Sequence, residues 1–237
     1  MSSSAQADAA TSEAVDGRTA RWSGQRDRRR DEFVEAALQA IAHDGPQTST
    51  EQVANYVGVT RTKLYRYFDG AADLHHSIAR RASDMLIAAQ RPFRNPTGSA
   101  IEVVTQAVSA HLRWRIENPN LYGYLTRHSL SDDANGVAAI REVNNAVAAN
   151  LSQVVGAYLS AAGLDDRNAE PLCFGIVGLV ESATTHWLNS TAPQPIEEFT
   201  AQLAEWSWLL LSSALQAGGI HLDPHQPWPA PSQIAQE

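Results

Sequence analysis

The chain has 237 residues, of which 43% are hydrophobic and 19% charged, a balance that fits one small and one medium globular domain. Its net charge of -8 argues against a uniformly basic nucleic-acid binder, and no apolar run reaches the length of a membrane helix. The single cysteine, Cys173, has no partner for an internal disulfide, and its apolar neighbours predict a small buried side chain. We expect no metal site and no cofactor.

The first residues, Met1 to Gly17, are rich in Ser, Ala and Asp and contain no apolar segment. They therefore resemble neither a signal peptide nor a packed element. We predict a disordered tail over 1–22, and a protein that stays in the cytoplasm and has no membrane partner.

Charge is divided unevenly along the chain. There are nine basic and six acidic residues from Arg18 to Phe68, but nine basic against seventeen acidic from Asp69 to Glu237. Since the acidic part should repel DNA, only one end of the molecule would approach it. The arginines that precede or begin the first predicted helix could meet a phosphate backbone, and they are Arg18, Arg21, Arg26, Arg28, Arg29 and Arg30. Alternatively, those at 28–30 form only the solvated face opposite Phe33, Ala37 and Leu38.

Two short helices joined by a glycine are predicted between Ser49 and Phe68. Ser49 suits an N-cap and Gln52 follows three residues later, so a capping box predicts a helix that begins near Thr50. This helix should end by Gly58, because glycine can adopt the left-handed conformation that turns the chain sharply. The arrangement is a helix-turn-helix.

The second helix of this pair is predicted to run for about two turns from Thr60 to Phe68, with Leu64 and Phe68 on its inward face. A helix in this position enters the major groove, where arginine and lysine suit guanine edges, and threonine and tyrosine suit phosphates or thymine methyls. The alternative is an ordinary solvated helix that happens to be basic and aromatic. Its outward residues are Arg61, Thr62, Lys63, Tyr65, Arg66 and Tyr67.

Three motifs follow the basic helix: Val57-Gly58-Val59-Thr60, Leu64-Tyr65-Arg66-Tyr67-Phe68 and Asp73-Leu74. On these motifs, over roughly Arg26 to Leu74, the chain resembles the TetR family of transcriptional repressors. The resemblance implies an all-α protein with a helix-turn-helix DNA-binding domain at 23–70, a helical effector-binding and dimerisation domain at 71–219, and a loose tail at 220–237. It also implies DNA contacts by Thr50, Thr60, Arg61, Thr62, Lys63, Tyr65, Arg66 and Tyr67.

Two departures from the family pattern affect DNA recognition. Thr62 and Lys63 stand where the family often has a small residue followed by Thr or Ser, so the operator cannot be read from better-known relatives. Ala71 stands where a lysine is usual, which removes one expected phosphate contact.

Beyond Leu74 the chain shows helical spacing broken by turn residues and no alternating strand pattern, which predicts an all-helical domain. The predicted helices cover about 71–91, 99–117, 121–130, 134–162, 168–188 and 195–217.

The last two predicted helices are the expected dimer interface. Gly175 and Gly178 would leave a flat surface for close helix approach, and Leu203, Trp206 and Leu210 would supply apolar area. A homodimer also fits the function, because a twofold dimer can read both halves of a palindromic operator. Alternatively, Trp206 and Trp208 belong to the subunit core, and since they point to different faces, one of them fits that interpretation.

A ligand pocket is predicted among the middle helices, because aromatic and histidine side chains combine apolar bodies with hydrogen-bonding tips. The candidates are His111, Trp114, Tyr122, Tyr124, Phe174, His186 and Trp187. Plain core packing is the alternative for each. The expected small-molecule effector is mainly apolar or aromatic.

Together these features predict a sequence-specific DNA-binding regulator, a repressor released from double-stranded DNA by its effector, and not an enzyme. One rival is a non-specific architectural DNA binder, which the modest positive charge disfavours. The other is an enzyme on a helical scaffold, for which no nucleophile and base stand at a recognisable spacing. Such an enzyme would have to use His111, His128, His186, Cys173 and Glu181.

Overall fold

The computed structural model of the protein describes residues 25–89, 97–128, 139–161, 163–217 and 221–227. The predicted tail at 1–22 and the residues 228–237 lie outside these ranges. Within them the fold is all-α, as predicted. The helices are α1 (25–44), α2 (Thr50–Tyr56), α3 (Arg61–Leu64), α4 (Gly70–Ala89), α5 (Ala100–Glu117), α6 (Pro119–His128), α7 (Ala139–Ala161), α8 (Ala169–Leu188) and α9 (Ile196–Ala217).

The chain divides into two compact units, Met1–Ile78 and Ala79–Glu237. The division falls inside α4, later than the predicted domain boundary at residue 70. The reason lies in the first turns of α4, where Asp73 and Ser77 accept hydrogen bonds from Arg30 on α1. Leu74 and Ile78 are also fully buried, so these turns belong to the first unit.

The core of the first unit joins α1 to the helix pair. Phe33 on α1 is fully buried and contacts two aromatic rings that follow α3, with centroid distances of 5.1 Å to Tyr67 and 6.5 Å to Phe68. Val53 of α2 and Leu64 of α3 are fully buried as well. Burial of these apolar side chains is the main force that holds the helix pair in place.

The core of the second unit is built by α5, α7, α8 and α9. Buried side chains recur every three or four residues along each helix, as on α8 with Cys173, Ile176 and Val180, so each helix presents one apolar stripe. Cys173 is fully buried, as predicted, and burial raises the pKa of its thiol to about 11. A thiol in that state is a poor nucleophile.

The segment 221–227 packs against the beginning of α5, although it was expected to be part of a loose tail. The N–H groups of Ala100 and Ile101 donate to the carbonyl oxygens of Gln226 and Pro224, at 3.3 and 2.9 Å. Leu222 packs against the apolar core of the second unit. The first backbone N–H groups of a helix have no acceptors within the helix, and this segment supplies acceptors for two of those in α5.

None of the helices in the described ranges is long and apolar enough to cross a bilayer. The same residues contain no group of three or more His, Cys, Asp or Glu side chains placed to hold a metal ion.

Candidate functional site

The helix-turn-helix begins with the predicted capping box. The Ser49 N–H donates to the Gln52 side-chain oxygen at 2.9 Å, and the Gln52 N–H donates to the Ser49 hydroxyl at 3.3 Å. Both ends of the interaction satisfy backbone groups that α2 leaves open, which fixes its start at Thr50. Gly58 then has φ of 72°, the left-handed conformation predicted for the turn.

The helix that follows is shorter than predicted. It is α-helical only over Arg61–Leu64, and the next N–H groups, of Arg66 and Tyr67, donate three residues back, at 3.3 and 3.0 Å. Such bonding is the tighter 3-10 geometry that often ends a helix. The Tyr67 carbonyl accepts a hydrogen bond from Arg30 of α1. A long-range contact therefore holds the segment that follows α3.

The predicted DNA-contacting residues form one surface on and around α3. Thr60, Arg61, Thr62, Lys63 and Arg66 are exposed, whereas Thr50, Tyr65 and Tyr67 are partly buried. We call these eight residues the α3 surface. Their basic members carry a local positive charge, and α3 has no acidic residue in its first turn. Exposed cations and hydroxyls on one short helix can bind phosphates and base edges.

Several side chains of the α3 surface also hold its shape. The Thr60 hydroxyl caps α3 by accepting from the Lys63 N–H at 3.2 Å. The Arg61 guanidinium lies over the Tyr65 ring, 5.3 Å from its centroid, and its Nε donates to the tyrosine hydroxyl at 3.3 Å. Arg61 is therefore restrained in the DNA-free protein, which lowers the entropy that it would lose on binding.

The arginines at 28–30 have different environments, although all three were considered for phosphate contact. Arg28 and Arg29 are exposed near Glu32 of the same helix. Arg30 is partly buried and bonds to Asp73, to Ser77 and to the Tyr67 carbonyl, with its guanidinium 4.7 Å from the Phe68 ring centroid. Because its guanidinium is paired within the first unit, Arg30 stabilises the segment next to α3 and does not add a DNA-contacting cation to the α3 surface. No spacing in the sequence indicated this role.

A cavity of about 60 Å³ lies in the second unit among α5, α7, α8 and α9. Its lining is mostly apolar, with Val104, Val108, Leu151, Ile176 and Leu211 among the contributors. The polar side chains in the lining are His111, Asn150 and Ser207. A largely apolar concavity with a few polar groups has the composition of a small-molecule site.

A buried polar cluster stands beside this cavity around Glu181 of α8. Its Oε1 accepts hydrogen bonds of 2.6 Å from both the Arg115 guanidinium and the Tyr122 hydroxyl. Arg115 also lies over the Tyr122 ring, 3.4 Å from the centroid. These contacts pair the Glu181 carboxylate with a cation and fix its position, as a buried charge requires.

His111 connects the cavity to this cluster. It is 6% exposed, and its Nε2 lies 3.4 Å from the second carboxylate oxygen of Glu181. The geometry makes no hydrogen bond, so this nitrogen is buried without a partner among the described residues. Burial lowers the pKa of His111 to about 4, because attraction to Glu181 offsets the loss of solvation only in part. The imidazole is therefore neutral at pH 7.

Of the seven candidate effector-binding residues, the cavity lining includes His111. Trp114 is buried, Tyr122 belongs to the polar cluster, and Trp187 stacks on Phe199 at 5.2 Å. Phe174 and His186 are exposed. They differ from the prediction because the apolar stripe of α8 runs through Cys173, Ile176 and Val180, which leaves these two on other faces of the helix. Tyr124, considered with them, is buried on α6.

The predicted dimer residues separate into a surface and a core set. Gly175 and Gly178 of α8 are exposed with open space above their Cα atoms, and Trp206 and Leu210 of α9 are about two-fifths exposed, at 40% and 41%. Leu203 corrects the prediction, because it is fully buried in the subunit core. It follows Phe199 by four residues and so faces inward. Trp208 is buried as well, which confirms that the two tryptophans point to different faces.

One apolar residue of this surface was missed from the sequence. Leu209 is 63% exposed, the largest value among the exposed large hydrophobic side chains. It follows Trp206 by three residues and precedes Leu210, so the three share the outward face of α9. The spacing from Trp206 was the signal that could have found it. We call Phe174, Gly175, Gly178, Trp206, Leu209 and Leu210 the α8/α9 surface.

Comparison with known proteins agrees with this geometry. The family described as "Bacterial regulatory proteins, tetR family" matches residues 33–78, which span α1 to the first turns of α4. The protein named "Uncharacterized HTH-type transcriptional regulator Rv0472c" of Mycobacterium tuberculosis (strain ATCC 25618 / H37Rv) is 27% identical over 219 residues, or 92% of each chain.

Solved structures share the fold over about four fifths of the chain. A tetR-family transcriptional regulator from Streptomyces coelicolor matches 81% of this chain and 86% of its own, with 20% identity and a TM-score of 0.60. The transcriptional regulator FadR from Bacillus subtilis, solved in complex with stearoyl-CoA, matches 80% and 98%, with 20% identity and a TM-score of 0.50. The fold, the exposed α3 and these matches define a DNA-binding transcriptional regulator of the helix-turn-helix class. Residues 33–78 form a DNA-binding domain of the TetR family, and the fold beyond them is similar to that of tetR-family regulators.

Proposed function

We propose that the protein binds a palindromic operator as a homodimer, and that it represses transcription until a small, mainly apolar ligand enters the cavity of the second unit. It would act in the cytoplasm. The observation that carries the DNA-binding part is the α3 surface, where exposed cations and hydroxyls lie on and next to a helix that is capped by Thr60, preceded by a glycine turn and followed by a segment bound to Arg30.

We propose separate roles for the members of the α3 surface. Arg61 and Lys63 are exposed near the beginning of α3, the part of a recognition helix that meets base edges, and both can donate to guanine. Arg66 and the tyrosine hydroxyls would donate to phosphates and set the register. Thr50, in the first turn of α2, would contact a phosphate near the positive end of that helix.

The homodimer proposal rests on the α8/α9 surface. Two glycines allow close helix approach, and Trp206, Leu209 and Leu210 provide adjacent apolar area that a monomer would leave in water. One copy of α3 reads too few base pairs for a unique site. A twofold dimer doubles the sequence that is read and explains a palindromic operator.

The ligand proposal rests on the apolar lining of the cavity. The stearoyl-CoA bound to the FadR neighbour carries an acyl chain, which is the kind of apolar body that such a lining accepts. For strong release from DNA, the ligand must favour the DNA-incompetent state by about 5 kcal/mol, because equal affinity for both states shifts nothing.

The first experiment is selection of preferred sequences from a random duplex library by the purified protein, followed by titration of the winning duplex at two salt concentrations. We expect a palindrome bound by two subunits. A preference that vanishes in the Arg61→Ala and Lys63→Ala proteins would tie it to α3. Binding of all duplexes alike, with a steep salt dependence, would instead favour the non-specific architectural alternative.

A further inference from the structure

The cavity contains a polar group that the described residues leave without a hydrogen bond. His111 lines the cavity, yet its Nε2 is buried and has no hydrogen-bond partner among the described residues. Buried polar atoms in native proteins are nearly always paired, and an exception calls for a missing partner. The position of this atom, on a side chain in the lining of an otherwise apolar cavity, makes a bound molecule the natural partner.

The surroundings of His111 restrict the charge of that molecule. The polar side chains of the described lining, His111, Asn150 and Ser207, are all uncharged when the imidazole is neutral. The nearest charges are those of Glu181 and Arg115, which neutralise each other at 2.6 Å. A ligand carboxylate at His111 would be buried without a free cation and would face the Glu181 oxygen 3.4 Å from Nε2. A charged group is therefore unfavourable at this end of the cavity.

The same surroundings restrict the kind of hydrogen-bonding group that the ligand can carry. A neutral imidazole nitrogen either donates or accepts, depending on the tautomer, and a hydroxyl group can serve as the partner in both cases. An alcohol or a phenol therefore fits His111 whichever nitrogen carries the proton.

We propose that the cavity is specific for uncharged hydroxyl compounds with an apolar body, alcohols or phenols, whose hydroxyl group forms a hydrogen bond with Nε2 of His111. Glu181, held by Arg115 and Tyr122, lies 3.4 Å from this nitrogen and disfavours an anionic group there. This inference rests on the effector part of the proposed function and names the chemical class of the ligand.

The size of the cavity adds a consequence. Its volume of about 60 Å³ is well below the roughly 150 Å³ of an apolar cavity known to hold benzene. Side chains must move apart before an aromatic ring can enter. Binding therefore changes the packing among the lining helices, which a regulator needs if its ligand is to favour one state.

The test compares three probes that share a benzene ring and differ in the group attached to it: benzyl alcohol, toluene and benzoate. Each is titrated into the full-length protein without DNA, and binding is followed by NMR, using ¹H–¹⁵N spectra of the histidine rings. The His111 signal is assigned by its loss in the His111→Gln protein. His186→Gln is the matched control, because His186 lies on α8 but is exposed.

We expect benzyl alcohol to bind about fivefold more tightly than toluene, the effect of one net hydrogen bond, and at least about tenfold more tightly than benzoate. Only benzyl alcohol should move the Nε2 resonance of His111 strongly. His111→Leu should equalise benzyl alcohol and toluene, whereas His186→Gln should leave the preference intact.

Equal or tighter binding of benzoate, an unchanged preference in His111→Leu, or no binding of benzyl alcohol would each overturn the proposal. If His111→Leu fails to fold, the Nε2 resonance of the unaltered protein decides, since it must respond to benzyl alcohol and not to toluene. The measurement uses no DNA, so a negative result would not contradict the selection of an operator. Failure to select an operator would likewise leave the measured ligand preference standing.

Discussion

Arg30 and Asp73 form a two-point ion pair, in which each terminal nitrogen of the guanidinium faces a different oxygen of the carboxylate. The pair connects α1 to α4. Arg30 also donates to the Tyr67 carbonyl at 3.0 Å, and Asp73 accepts from the Asp69 N–H at 2.9 Å, so the segment after α3 is held from both sides. Burial alone would raise the pKa of Asp73, but the hydrogen bonds from Arg30 and Asp69 outweigh it, and the pKa is lowered.

Replacing Arg30 with alanine should destabilise the protein and weaken DNA binding. The Asp73 carboxylate and the Tyr67 carbonyl would lose partners in a partly buried place, which costs about 1 to 3 kcal/mol of unfolding free energy. Urea denaturation measures this loss. Arg28→Ala is the control, because Arg28 is largely exposed and 4.0 Å from Glu32, and it should change stability by less than about 0.5 kcal/mol. Equal effects of the two variants would contradict the role of Arg30.

Gly58 should tolerate asparagine better than valine. A Cβ at this position meets no atom within 4 Å, so the cost of substitution comes from the backbone at φ of 72° and not from a clash. A left-handed residue other than glycine costs about 1 to 2 kcal/mol, with asparagine tolerating it best and a branched side chain worst. Thermal unfolding should rank the proteins as glycine, asparagine, valine. If valine is as stable as glycine, the conformation assigned to this turn is wrong.

Lys63→Ala should weaken operator binding by about 1 to 3 kcal/mol and relax the preference at one base pair in each half-site. Competition between the selected duplex and its single-base variants measures both effects. Arg113→Ala is the matched control, because Arg113 is an exposed cation on α5, far along the chain from α3. Uniform weakening across all duplexes would show that Lys63 contacts only phosphate.

Leu209→Glu should convert the proposed dimer into a monomer. A carboxylate in the centre of an apolar contact would be desolvated without a partner, and the adjacent Trp206 could no longer pack closely. Sedimentation velocity should detect the change in mass, and affinity for the full palindrome should fall with it. Gln106→Glu introduces the same charge at an exposed position of α5 and should leave the mass unchanged. If the Leu209→Glu protein remains a dimer, the interface lies elsewhere.

His111 should make the protein less stable in acid. Its pKa is about 4 when folded against 6.5 for the ordinary group, so between these values the unfolded chain binds a proton that the folded protein does not. The free energy of unfolding is therefore at its full value above pH 6.5. It decreases as the pH falls, by roughly 2 kcal/mol between pH 7 and pH 5. Urea denaturation at both pH values should show this loss, and His111→Gln should reduce it. The exposed control His186→Gln should show the same loss as the unaltered protein. If His111→Gln also shows the full loss, other groups cause it.

Local rules predicted much of the first unit. Ser49 with Gln52 fixed the start of α2, and Gly58 fixed the turn, because capping and left-handed glycine depend on neighbouring residues. The contact that holds the segment after α3 could not be predicted in this way. It comes from Arg30, which lies 37 residues from the Tyr67 carbonyl that it binds.

The second unit shows the same division between local and long-range information. Helical spacing placed α5, α8 and α9 close to their observed bounds, whereas the predicted bounds at 130 and 134 lie outside the described residues. It could not show that Arg115 reaches Glu181 across 66 residues, or that His111 lies beside that pair. Aromatic content alone also placed Phe174 and His186 with the pocket residues. Only the apolar stripe of α8, read together with its packing partners, separates them.

The hydrogen bonds between the start of α5 and the segment 221–227 influence the order in which parts of the protein fold during synthesis. Contacts of the first unit end at Ile78, so that unit can form while later residues are still being translated. The N–H groups of Ala100 and Ile101 find their partners only when Pro224 and Gln226 have left the ribosome. The start of the helix that carries His111 is therefore completed only after α9, which lines the same cavity, has been made.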